Sequence, residues 1–182
     1  RRMFSSAIFN EIPLVETNIT RKFINKMSRI YTIGANRNVN SKYDELTVLK
    51  SARMKHVERM TRLCGTIATR VVWNEGETPY FDYRPVYFFH VFFDDDPFVP
   101  SAICYPIIQA VRDSSVAEEL TYAYWDANKY MLTQENGKVI MEKPHNYGTL
   151  PFIFTHRENQ TDDFYVEGAN DLINTNEHIN IA

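Results

Sequence analysis

Three consecutive aspartates, Asp94-Asp95-Asp96, follow an aromatic run that contains His90. Carboxylates at a strand end are the ligands of a magnesium ion, and such a set would make a small metal-dependent hydrolase. Successive side chains on a strand point to opposite faces, however, so three adjacent Asp converge only across a sharp turn. Pro97 favours that turn, and the plainer expectation is an acidic loop without a metal. Other chemistry has less to stand on. The 5 histidines are scattered without a His-x-x-x-His pair, and neither Cys64 nor Cys104 has a His neighbour that would name a nucleophile. Two thiols are too few for a disulfide framework or a structural zinc, and their apolar surroundings suit buried cysteines in a reducing compartment. Gly34, Gly65, Gly76, Gly137, Gly148 and Gly168 stand singly, so neither a phosphate loop nor a dinucleotide fingerprint is present. The expectation is a non-enzymatic chain with no catalytic residue, metal or cofactor.

The elements that would position any site read clearly. Thr17 to Ile33 has Ile19, Phe23, Ile24, Met27, Ile30 and Tyr31 at helical spacing, with Asn18 or Thr20 to cap it and Gly34 to stop it. The polar stretch Ala35 to Lys42 reads as a linker. A second helix, Tyr43 to Cys64 with Gly65 as its stop, carries an apolar stripe of Leu46, Leu49, Val57, Met60 and Cys64 broken by Arg53. Its remaining surface is basic, with Lys50, Lys55, Arg59 and Arg62. Strands are then expected at 66–73, 80–83, 86–93, 102–111 (bent at Pro106), 120–125, 130–133 and 138–142. Turn chemistry lies at Asn74-Glu75-Gly76, Asp126-Ala127-Asn128 and Gln134 to Gly137. Short connections make these strands mainly antiparallel. In 121-TYAYWDANKYML-132, aromatics alternate with charge as on a single-stranded nucleic-acid platform. That segment lies in an acidic region, so Tyr122, Tyr124 and Tyr130 read as cross-strand pairs instead.

The segment 143-KPHNYGTLPFIFTHREN-159 is architecture. Asn146 and Gly148 shape a turn, Pro151 pins the entry to the next element, and Phe152 to Phe154 read as a short buried strand. A helix pattern closes the chain over Gly168 to Ile181, with Leu172, Ile173 and Ile179 apolar. The fold class is therefore α+β: N-terminal amphipathic helices, a mainly antiparallel meandering sheet, and a closing helix. Residues 1–41 form a helical arm with its linker, and 42–182 form the α+β domain. The chain opens on Arg1-Arg2 without a Met or a secretory signal, as a piece of a longer product would. No window is long and apolar enough for a membrane span, and no membrane partner is expected.

Charge is divided unevenly along this chain. Between Thr20 and Arg62, 11 basic residues meet 3 acidic ones, whereas from Asp113 to Ala182 there are 4 basic and 12 acidic. The formal net charge of −3 conceals that split. It suits two solvated faces of one monomer, contact with a polyanion, or complementary faces for self-association.

The helix ending at Cys64-Gly65, strand 66-TIATRVVW-73, the Arg84-Pro85 step into 86-VYFFHVFFDDD-96, the hairpins, 146-NYGTLPFIF-154, a polar gap and 168-GANDLINTNEHIN-180 come in a particular order. That order resembles the wing region of tailed-bacteriophage portal proteins over 43–182, down to the Asn-x-Gly-x-(apolar)-Pro turn and the closing helix that leads to the stem. The resemblance implies a homo-oligomeric ring at one capsid vertex, in the virion and, during assembly, in the host cytoplasm. Double-stranded DNA would be packaged and ejected through it without sequence readout. Packaging motor, capsid and tail-connector proteins would be its other partners. Stem, clip and crown segments have no counterpart before Ala182, so tunnel-lining and motor-docking residues are not carried over. A closed ring needs one face of a subunit to meet a different face of its neighbour. Lys55, Arg59 and Arg62 are the expected basic side of that interface. The rival readings are a nucleic-acid-binding module using Thr20 to Arg62, and a hydrolase at Asp94 to Asp96.

Overall fold

The computed structural model describes residues 18–30, 38, 40, 51–73, 79–107 and 120–181, with the side chains of 179–181 left aside. The polypeptide forms α1 (Ile19–Met27), α2 (Ser51–Cys64), β1 (Thr66–Val72), β2 (Tyr80–Pro85), β3 (His90–Phe93) and β4 (Pro100–Ile107). Then follow β5 (Thr121–Trp125), β6 (Lys129–Gln134), β7 (Val139–Pro144), β8 (Ile153–His156) and α3 (Asn170–Ile181). All strand pairs are antiparallel, and the class is α+β with a helix at its C-terminal end. The meander occupies only part of it. Strands β3 to β7 run in chain order in one sheet, while a second sheet has the order β2-β1-β8, because β8 returns across the molecule to pair with β1.

The two sheets face each other over an aromatic core. Ala68 of β1 meets Val91, Ile103, Tyr105 and Ala123 of the larger sheet, closed by Phe89, Phe152 and Phe164. The opposite face of β1 carries Ile67 against Val57 and Cys64 of α2. Strand β1 is thus covered on both sides, whereas the larger sheet has its outer face open, with His90 and Phe92 exposed on β3. Alternation in the sequence accounts for this layering: residues at 66, 68 and 70 go to one side and 67 and 69 to the other.

Several expectations need correction. The run 86–93 is two elements. Val86–Phe88 is a single 3-10 turn after Pro85, and only His90–Phe93 is strand. The break moves the chain from the smaller sheet to the larger one, which a continuous strand cannot do. Helix α1 stops at Met27 rather than at Ile33: Ser28 N–H closes on Ile24 O, while Ile30 N–H turns to Glu58 Oε1 on α2 at 3.3 Å. Among the described residues of its apolar stripe only Ile24 is buried, and Phe23, Met27 and Ile30 are exposed. Ile153, read as core, is 68% exposed, because β8 points Phe154 into the sandwich and Ile153 away from it. The polar gap after it holds two buried anchors, Phe164 and Val166.

The turn assignments at Gly148, Gly137 and Asp126 and the helix stop at Gly65 agree with the structure. Gly65 and Gly148 have φ of 85° and 66°, and Asp126 Oδ1 accepts from the N–H groups of Asn128 and Lys129. Asn18 caps α1 by accepting from Arg21 N–H at 2.8 Å. The linker Ala35 to Lys42 (apart from 38 and 40), the helical turns with Leu46, Leu49 and Lys50, Tyr31, the turn at 74–76 and the segment 108–119 lie outside the described residues.

Candidate functional site

The aspartate triplet is built into a turn. Asp96 Oδ1 accepts from Phe98 N–H at 2.8 Å, and Asp94 Oδ1 accepts from Ser101 Oγ at 3.1 Å. All three residues are exposed. Among the described residues no three metal-ligating side chains gather. Burial raises the pKa of both Cys64 and Cys104, which disfavours the thiolate that nucleophilic chemistry requires. His56 is engaged with Tyr83 Oη at 2.6 Å, and His156 Nδ1 lies 3.2 Å from Thr66 Oγ1.

The basic helix face is less open than its sequence suggests. Lys55, Arg59 and Arg62 are each half-buried. Arg62 Nη1 donates to the carbonyl of Arg157 at 3.3 Å, and among the described residues Arg59 Nε is buried without a hydrogen-bond partner. Glu58 on the same helix is buried, and among the described residues its Oε2 has no hydrogen-bond partner. An open groove of about 670 Å³ separates α1 from α3. Phe23, Met27 and Leu172 line it with Arg62, Glu158 and Glu167, so here the basic end of α2 meets the acidic C-terminal region within one chain. Helices α1 and α3 are joined at this place: Ile19 N–H donates to Asn176 Oδ1 at 2.8 Å, and Thr20 Oγ1 donates to Leu172 O at 3.3 Å.

The segment after β8 is tied down at the same corner. Arg157 N–H donates to Gly65 O and Ala169 N–H to Leu63 O, both at 2.8 Å, and Val166 N–H donates to Thr66 Oγ1 at 2.9 Å. Only glycine fits here. A Cβ on Gly65 would lie 2.0 Å from Val166 O, and one on Gly168 would lie 2.7 Å from Leu63 O. The chain end that enters α3 is therefore fixed to the end of α2.

Between the sheets lies a charged cluster that sequence reasoning missed. Arg70 and Arg84 both reach Asp82 Oδ2, at 3.3 and 3.4 Å. Arg70 stacks over Trp125 at 4.5 Å and Arg84 over Tyr105 at 4.3 Å. Burial raises the Tyr105 pKa most, and the two arginines oppose it. Among the described residues the Trp125 indole N–H is buried without a hydrogen-bond partner. A signal was available: Asp82 and Arg84 are two apart on one strand face, and Arg70 pairs with Asp82 in register. The arrangement clamps two sheets by cation–π contact. Tyr130, expected in a cross-strand pair, does pair with Trp125 at 4.6 Å between ring centres, while Tyr124 sits opposite Met131 and 6.0 Å from Phe92.

Comparison with protein-family models and with curated proteins finds no match to this chain. Among the described residues no helix is long and apolar enough to cross a membrane.

Proposed function

We propose that this chain is the wing-like part of a portal-type structural subunit, assembling with copies of itself into a ring that passes double-stranded DNA without reading its sequence. The observation that carries the reading is the path from Asn146 to α3. The turn at Gly148 and Pro151 feeds β8, which crosses back to pair with β1, the central strand of the smaller sheet. The following segment is then bonded to the end of α2 before α3 begins. That path supports a domain whose closing helix leaves from a rigid corner, as a subunit continuing into a stem requires. The order of motifs from Cys64-Gly65 to the closing helix, on which the resemblance rests, is the other support for the reading. The hydrolase reading is less favoured, because Asp94 and Asp96 each accept a hydrogen bond within their own loop.

Charge would guide assembly more than hold it. Ion pairs that keep solvent contact contribute about 0–1 kcal/mol each, so Lys55, Arg59 and Arg62, half-buried as they are, would set docking rate and register while apolar contacts supply affinity. The test is charge reversal of these three to Glu in the full-length protein, with rings counted by electron microscopy and folding followed by circular dichroism. Slow or misdirected ring formation by a folded subunit is the expected outcome. Normal rings would overturn the role given to these residues, and an absence of rings from the unmodified full-length protein would overturn the reading. Steeply salt-dependent DNA binding by a monomer would favour the nucleic-acid module instead.

A further inference from the structure

The outer face of the larger sheet has an aromatic centre. His90, Cys104, Tyr124 and Met131 stand opposite one another in register across β3 to β6, on the side away from the core residues Val91, Ile103 and Ala123. Phe92 lies on that same side, 43% exposed, with its ring 5.1 Å from His90 and 6.0 Å from Tyr124. The rim of this face is acidic. Asp94 and Asp95 follow β3 and are exposed, and Asp126 follows β5. Burial raises the Tyr124 pKa most, and Asp126 and Asp94 raise it further against Lys129, which places these carboxylates near the aromatic centre. Among the described residues Asp94, Asp95 and Asp126 have no ion-pair partner, whereas Lys129 is paired with Glu142 at 3.2 Å.

The other side of the subunit is opposite in charge. Helix α2 covers the far face of the smaller sheet, where Val57 and Cys64 pack on Ile67. With about 3.6 residues per turn, Lys55, Arg59 and Arg62 fall on the side of α2 turned away from that contact. Glu58, the one acid of α2, is buried, so this side carries basic groups alone. Both sheets are stacked between the two surfaces, so the basic side of α2 cannot reach the acidic face of its own chain. A contact between them joins one copy to the next, head to tail.

We propose that the outer face of the larger sheet, centred on Phe92 and Tyr124, receives the basic side of α2 from a second copy of this chain. This rests on the ring reading above and names the surface that Lys55, Arg59 and Arg62 would meet. Arginine planes would lie on the exposed rings, as Arg70 lies over Trp125 at 4.5 Å and Arg84 over Tyr105 at 4.3 Å within the subunit. Their aliphatic stems would cover apolar surface while Asp94, Asp95 and Asp126 answer the charge. A nucleic acid suits these rings less, because the carboxylates would repel its phosphates.

The full-length protein tests it, with rings counted by electron microscopy, association followed by sedimentation velocity and folding by circular dichroism. Asp94→Lys combined with Asp95→Lys leaves Asp96 and Asp126 to hold their turns. It should weaken assembly at least ~10-fold, because like charges then meet across the contact. Adding Lys55→Glu, Arg59→Glu and Arg62→Glu makes the two surfaces opposite in sign again, and should recover the assembly that either set alone loses. Phe92→Lys, at an exposed position, should weaken assembly too, and decides the matter if the aspartate variant does not fold. Normal rings from the aspartate variant or from Phe92→Lys would overturn the proposal and leave the ring reading intact, as would a combined variant no better than the α2 variant. Association that survives reversal of α2 but not Phe92→Lys would mean that two sheet faces meet each other, and would overturn it as well. No rings from the unmodified protein would overturn the ring reading and this contact with it.

Discussion

Strands β1 and β7 have similar apolar content and opposite fates. In TIATRVV the first four residues are buried, while in VIMEKP none is. The difference is made by what lies over each strand. β1 has α2 on one face and the aromatic core on the other, and it is paired along both edges. Among the described residues β7 is paired along one edge and uncovered on both faces. A strand's burial is therefore a property of its neighbours. For β1 the decisive neighbours come from the far end of the chain, in β8 and the segment bonded to Gly65 and Thr66.

If that returning segment makes the difference, its aromatic anchor should be the most costly residue to remove. Phe164 is 2% exposed and packs edge-on against Phe93, Phe154 and His156 at ring distances of 5.3, 5.1 and 5.2 Å. Phe164→Ala should destabilise by about 3–5 kcal/mol, combining lost transfer energy with the cavity left behind. Urea unfolding measures it. A loss below about 1 kcal/mol would mean that the segment is peripheral and that β1 owes its burial to α2 alone.

The glycines sharpen the same contrast at smaller magnitude. Gly65 combines positive φ with a backbone oxygen 2.0 Å from where a Cβ would stand, so Gly65→Ala must either strain the corner or push the 166–168 segment away. Its cost should exceed about 2 kcal/mol. Gly148 has positive φ but nothing within 4 Å of that position. Gly148→Val should therefore cost only the backbone term, about 1 kcal/mol. Equal costs at the two sites, read from thermal melts, would show that packing at the corner adds nothing to conformation.

This contrast marks what could be read in advance. Helix α2, its Gly65 stop, the hairpin turns and most strands were legible, because each is announced by period or turn chemistry within a few residues. The return of β8 to β1 was not, since antiparallel strands in chain order suggest one continuous meander. Phe164 and Val166 were hidden by polar neighbours, because two isolated apolar residues have no period. Glu58 gave no signal of burial, since the segment after α1 that bonds it through Ile30 N–H is distant in sequence. As for sites, Lys55, Arg59 and Arg62 were visible as charge but not as half-buried groups. The Arg70–Asp82–Arg84 cluster needed the register of β1 and β2 before its members could be seen together.

The smallest effect expected is a pH dependence at the junction of β1 and β8. His156 stands opposite Thr66 in the ladder, with Nδ1 3.2 Å from its hydroxyl and its ring on the edge of Phe164. Burial lowers its pKa from the ordinary 6.5, because the charged imidazolium loses solvation there. The unfolded chain then binds the proton more readily than the folded one. Stability attributable to this residue is full above pH 6.5 and declines as pH falls from there through the lower folded-state value. Glu58, Arg62 and Arg157 line the adjoining cavity, and their charges contribute to the total pH response. A difference measurement isolates the histidine. His156→Gln keeps a polar side chain near Thr66 but cannot titrate, so its urea midpoint should shift less than the parent's between about pH 7.5 and about pH 5.5. No comparable contribution is expected from β7, where no histidine lies in the strand and every side chain is exposed. Parallel curves for parent and variant would mean that the proton enters the folded β1–β8 junction as easily as the unfolded chain, and that this face of β1 is less dry than its packing implies.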